Sequence, residues 1–224
     1  MSWTIVSQDD AVALFTEAVG GLACYLAEAD IANGIVNWKS VQGKGPNKIT
    51  DAEYKVIING FTPFNLVSIG NFCIVLPLER YKKILAQAGN TTVDPADAFN
   101  LGDFTSAANL NARYPKTVVE TFAGTSNRPR QWFNNCVRNS FAHGQSAYVN
   151  NPIVNDVTHK GTFILIYNAT PKGTVNLKIY MPHDEFVDMM IKGLVFFVET
   201  VVQGKSYQPL TKLLNTAQQK IQQH

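Results

Sequence analysis

Arg138, Asn139 and His143 fall within six positions, in the run Arg138-Asn139-Ser140-Phe141-Ala142-His143, with Gly144 behind them. These are the groups that metal-free cleavage of RNA requires. Arginine is a permanent cation for phosphate, the amide is a polar orienter, and an imidazole trades protons near neutral pH. The preceding Trp132-Phe133-Asn134-Asn135-Cys136-Val137 puts apolar side chains at helical spacing, and Pro129 and Gly144 suit a helix start and stop. The pattern predicts a helix from Pro129 to Gly144 whose last turns carry the motif. On such a helix Asn139 and His143 project on nearly one face, while Arg138 and His143 diverge by roughly 140°. A long arginine side chain, or unwinding of the final turn, makes up much of that difference. The carbonyl end of a helix favours imidazolium, whereas burial opposes it.

Other chemistry is weaker. His159, His183 and His224 stand apart with no ligand spacing, so no metal site is expected, and no cofactor. Asp9-Asp10 and Asp184-Glu185 suit helix N-termini better than a catalytic carboxylate pair. Ser140 lacks the glycines of a nucleophile elbow. Cys136 precedes His143 by about two helical turns, too far for a thiolate–imidazolium pair. Gly43-Lys44-Gly45 lacks the order of a phosphate-binding loop and reads as a turn. Trp132 and Phe133 could stack on bases, but neighbouring helix positions face different ways, so at least one belongs to the core.

The chain has 224 residues, 46% of them hydrophobic and only 16% charged, which describes a folded protein and excludes a disordered one. The net charge of +2 is too small to argue nucleic-acid binding, so its distribution carries the argument. Residues 112–146 hold Arg113, Lys116, Arg128, Arg130 and Arg138 against Glu120 alone. The N-terminal forty residues are acidic. The cationic excess therefore surrounds the motif, and Arg113, Lys116, Arg128 and Arg130 are the candidate RNA-binding residues, with a solvated basic face as the competing reading. Cys24, Cys73 and Cys136 are far apart in apolar surroundings and read as buried thiols. The first ten residues show no basic or cleavable apolar stretch, and no segment is apolar enough to span a membrane. A cytoplasmic location is expected.

The elements that must position the motif follow from periodicity and punctuation. Helices are expected over 8–32, 51–60 and from Pro63 to about Ala88, the last broken or kinked at Pro77. Residues 33–50 read as a loop. Short helices are expected over 95–101 and 115–122, then the motif helix, then a polar loop over 145–160. A β-hairpin pairs 162–167 with 175–180 around a turn at Asn168–Gly173. An apolar helix over 184–203 and an amphipathic one over 208–222 close the chain. The expected class is mainly α, a helical bundle with one inserted β-hairpin. It forms a single domain over 1–224, with its core at about 60–204 and the helices at 8–32 and 208–222 as additions.

With these residues in place, Arg138-Asn139-Ser140-Phe141-Ala142-His143 resembles the R-x4–6-H signature of HEPN domains (higher eukaryotes and prokaryotes nucleotide-binding), in the form of stand-alone bacterial HEPN ribonucleases. The signature covers six residues, and a looser likeness in element order spans 60–204. The resemblance implies an α-helical bundle that dimerises so that two motif helices build one composite ribonuclease site. It makes Arg138 and His143 catalytic and Asn139 their orienter. It also implies an RNA substrate, a toxin or anti-phage defence role, and an antitoxin or regulatory partner. Two other readings stand beside it: a non-catalytic HEPN-like module that binds nucleotide or RNA or acts as a scaffold, and an unrelated helical protein in which 138–143 is only a capped helix end.

Overall fold

Strand-forming sequence on both sides of the motif helix builds a sheet that periodicity alone does not reveal. The computed structural model describes residues 70–89, 94–125 and 127–201. The expected helices at 8–32, 51–60 and 208–222 and the loop at 33–50 lie outside the described residues.

The described chain opens with a π-helical turn, Asn71–Val75, that runs into helix α1, Leu76–Gln87. The break expected at Pro77 takes this form: proline sits in the first turn of α1, where its missing N–H costs nothing, and the wider turn precedes it. A 3₁₀ turn, Pro95–Ala98, follows, capped by Asp94 Oδ1, which accepts from Ala96 N at 2.9 Å. Helix α2, Ala107–Arg113, is capped by Ser106. Strand β1 is Val118–Phe122, and the motif helix α3 is Pro129–Ala142. Strands β2 (Ser146–Asn150), β3 (Ile153–Val154), β4 (Val157–Thr158), β5 (Thr162–Ala169) and β6 (Val175–Pro182) lead to helix α4, His183–Val201.

The expected class, a mainly α bundle with one inserted hairpin, is therefore wrong. The described residues contain a four-stranded antiparallel sheet in the order β1-β6-β5-β2 and a two-stranded ribbon of β3 and β4. Two misreadings explain the difference. Residues 115–122 are apolar in a run too short to tell a helix from a strand. Val118, Val119, Thr121 and Phe122 are β-branched or aromatic, and in the fold they pair with β6, Val118 opposite Tyr180 and Phe122 opposite Leu177. Residues 145–160 are not one loop. Ser146–Asn150 pairs with β5, Ser146 opposite Ile166 and Asn150 opposite Thr162. Asn155 and Asp156, both at positive φ, then turn β3 into β4. The expected hairpin is real and longer on both arms.

One face of the sheet packs against the helices. Ile164 and Ile166 of β5 and Leu177, Ile179 and Met181 of β6 join Phe133, Val137 and Phe141 of α3 and Phe186 and Met190 of α4 in one core. Phe141 and Phe186 meet at 5.7 Å between ring centroids. On the opposite face a smaller cluster, Val154, Phe163 and Tyr180, brings the ribbon onto the sheet. Among the described residues no helix is long and apolar enough to cross a membrane.

Candidate functional site

The motif helix separates most of its buried side chains from its polar ones, with the half-buried Trp132 falling on the polar side. On a projection of roughly 100° per residue, the buried Phe133, Asn134, Cys136, Val137, Ser140 and Phe141 occupy one arc. Gln131, Asn135, Arg138, Asn139 and His143 occupy the complementary arc, which is roughly 140° wide. The apolar arc fixes which way the polar stripe points, because it is held by the sheet and by α4.

Several contacts lock α3 in this rotation. Asn134 is fully buried. Its Nδ2 donates to the carbonyls of Ala96 and Phe99, each at 2.8 Å, and its Oδ1 accepts from Leu101 N at 3.2 Å. One side chain thus ties the 95–101 segment to the helix. Ser140 explains itself structurally. Strand β2 begins opposite Ile166, so the next amide of β5 has no strand neighbour there, and Ser140 Oγ accepts from Tyr167 N at 3.0 Å. Gly70 lies so close to the Phe141 ring that a Cβ there would overlap it.

The C-terminal end of α3 has a defined stop. His143 N donates to Asn139 O at 3.0 Å, Gly144 N to Phe141 O at 3.2 Å, and Gln145 N to Ser140 O at 2.7 Å. With Gly144 at φ +63° this is the Schellman arrangement, which satisfies the last carbonyls of the helix through a left-handed glycine. His143 is the capping residue itself, in a non-helical conformation, and its side chain is exposed.

Arg138 points elsewhere. Its side chain is 25% exposed, and its guanidinium forms an ion pair with Glu79 of α1, whose side chain is 38% exposed. Its Nη1 donates to Asn139 Oδ1 at 2.6 Å, so the amide orients the arginine. Sequence reasoning missed Glu79, which is 59 positions away along the chain. It also passed over Gln131 and Asn135, although a helical projection through Asn139 would have found both. Gln131 Nε2 donates to Asp94, and Asn135 borders an open cleft with Leu78, Glu79, Lys82, Asp94, Pro95, Ala96 and Arg138.

The other expected RNA contacts do not gather at the motif. Arg128 is the residue before Pro129, exposed in a left-handed conformation, roughly 22 Å of helix rise from His143. Arg130 makes a two-point contact with Asp103, both bonds at 2.9 Å, and its guanidinium carbon lies 5.0 Å from the Phe196 ring centroid. Lys116 Nζ pairs with Asp184 at 2.7 Å, and its backbone N–H donates to Glu185 Oε1 at 3.0 Å. Thr117 Oγ1 donates to Glu185 Oε2 at 2.7 Å. The two acids at the start of α4 thus also bind the approach to β1. Arg113 is exposed, its guanidinium carbon 5.7 Å from the ring centroid of Tyr114. Two of these four cations are therefore neutralised by carboxylates.

Phe133 is fully buried, and Trp132 is half-buried 5.0 Å from the Phe122 ring centroid. Burial pushes the thiols of Cys73 and Cys136 up to about 12, so both stay protonated at neutral pH and are poor nucleophiles. Among the described residues no group of three or more His, Cys, Asp or Glu side chains is placed to hold a metal ion. Compared with protein-family models, with curated proteins and with solved structures, the chain matches none.

Proposed function

We propose that this protein is an endoribonuclease that needs no metal and works in the cytoplasm as a homodimer. The observation that carries the proposal is the exposed imidazole of His143, at the end of a polar helix stripe that holds Arg138 and Asn139. In the proposed reaction the ribose 2′-hydroxyl gives its proton to His143 and its oxygen bonds to the adjacent phosphorus. The P–O5′ bond breaks, and the leaving oxygen takes a proton from an imidazolium. The products are a 2′,3′-cyclic phosphate and a 5′-hydroxyl. Arg138 stabilises the charge that grows on the phosphorane oxygens. One chain supplies one Arg/His set, and twofold association supplies the second. The sheet departs from the all-helical frame that the HEPN resemblance implies, so the proposal rests on the site alone.

The ion pair of Arg138 with Glu79 favours a second reading. An arginine already matched to a carboxylate suits a non-catalytic RNA-binding or scaffold module. Cleavage of a mixed structured RNA in excess EDTA, wild type beside His143→Ala, separates the two. The nuclease gives cyclic-phosphate ends with wild type alone, and a rate at least about a hundredfold lower with the variant. A folded wild type that cuts nothing leaves the binding module. Equal cutting by both proteins removes His143 from the site.

A further inference from the structure

The cleft beside Arg138 has a volume of about 260 Å³ and lies between α1, the 3₁₀ turn and the middle of α3. Its walls are of two kinds. The buried Leu78 and the half-buried Pro95 are apolar, while Glu79, Lys82, Asn135 and Arg138 are polar or charged. Its formal charges sum to zero: Arg138 is paired with Glu79, and the lining also includes one further acid, Asp94, and one further base, Lys82. A cleft with no net charge has little attraction for a bare anion. It suits a flat, neutral group with hydrogen-bonding edges.

Among the described residues, two of the polar side chains are uncommitted. The carboxamide of Asn135 is half-buried and makes no hydrogen bond among the described residues, although every other amide on this side of the helix has one: Gln131 with Asp94, Asn139 with Arg138. Lys82 is exposed at the rim and has no ion pair among the described residues. An amide offers a donor and an acceptor side by side, the pattern that reads a base edge, and a lysine at the rim is a point charge for phosphate.

We infer that this cleft takes one nucleotide of single-stranded RNA, with its base against Pro95, its edge read by Asn135, and its phosphate on Lys82. The inference rests on the nuclease reading for its choice of ligand. It adds a subsite on the same helix stripe, one turn before Arg138, and so assigns base preference to Asn135 rather than to the catalytic set.

The test uses fluorescein-labelled 2′-O-methyl RNA hexamers of A, C, G or U. They lack the attacking hydroxyl, so binding is measured without cleavage, by anisotropy with the full chain. Wild type is expected to bind one homopolymer at least about fivefold tighter than the weakest, the worth of about one hydrogen bond. Asn135→Leu erases that preference, with Asn135→Ser as a second variant should leucine unfold the chain. Lys82→Gln weakens all four by a similar factor of about three to ten. A wild type that binds none of the four, or an Asn135 variant that keeps the wild-type preference, overturns the inference. Ordinary RNA, cut in parallel, keeps the two readings apart. Preference lost at Asn135 with no cutting by wild type ends the nuclease and keeps the cleft. Cutting by wild type with preference unchanged in both Asn135 variants does the reverse.

Discussion

At the scale of single residues, the side chain that most controls the site is one that does no chemistry. Asn134 satisfies two carbonyls and one amide of the 95–101 segment from a fully buried position on the motif helix. Leucine has nearly the same volume and none of these bonds, so Asn134→Leu strands Phe99 O and Leu101 N, while Ala96 O keeps its bond from Phe99 N. The expected loss is at least about 2 kcal/mol in urea unfolding, because each unsatisfied buried group costs about 1–3 kcal/mol. A loss within about 0.5 kcal/mol would mean that the segment finds other partners. His143 behaves oppositely. Its side chain is exposed, so His143→Ala is expected to leave the unfolding midpoint nearly unchanged while removing RNA cleavage. A variant that lost activity by unfolding would show both changes together. The candidate residues Arg138, Asn139 and His143 were legible from local spacing. Glu79 was not, since nothing in sequence couples two positions 59 apart that meet only when the fold brings α1 near α3.

At the scale of elements, the end of α3 and the join of β1 to β6 each invite a measurement. Gly144 sits at φ +63° with open space where a Cβ would go, so the only penalty on alanine is conformational. Gly144→Ala is expected to cost about 1 kcal/mol, and Gly144→Asn less, since asparagine tolerates the left-handed region better. Equal stability of all three proteins would show that the helix end frays in solution. Across the sheet, Glu120 of β1 accepts from Lys178 Nζ at 2.7 Å and from Tyr180 Oη at 3.0 Å, both on β6. The hydrogen bond from Lys178 holds the Glu120 carboxyl below its ordinary 4.5. The folded state therefore binds that proton less readily than the unfolded chain. The stabilisation is complete above about pH 4.5 and is lost as pH falls through the lower folded value. Glu120→Gln is expected to lose less stability than wild type between about pH 6 and about pH 3, as read from urea midpoints. An identical acid limb in both proteins would discard this link. The motif helix was legible almost to the residue, because Pro129 and Gly144 punctuate it and its apolar period is long. The strands at 118–122 and 146–150 were not, because runs of five residues carry too little periodicity to separate the two structures.

At the scale of the whole molecule, the proposed chemistry requires two copies. If the proposed composite site is right, the 24.7 kDa chain sediments at about twice that mass at the concentrations used in the RNA-cleavage assay. Cleavage by a protein that stays at 24.7 kDa would rule out a composite site. The motif, its helix and the helix stop were set by the sequence itself, because each rests on interactions within a few residues: a proline that starts a helix, an apolar stripe, a glycine that accepts positive φ. The class of the protein, the pairing of Arg138 with Glu79, the neutralisation of Arg130 and Lys116, and the cleft beside Asn135 were decided only by the tertiary structure. Each depends on which distant segments the apolar faces bring together, and burial in three dimensions, not spacing along the chain, makes that choice.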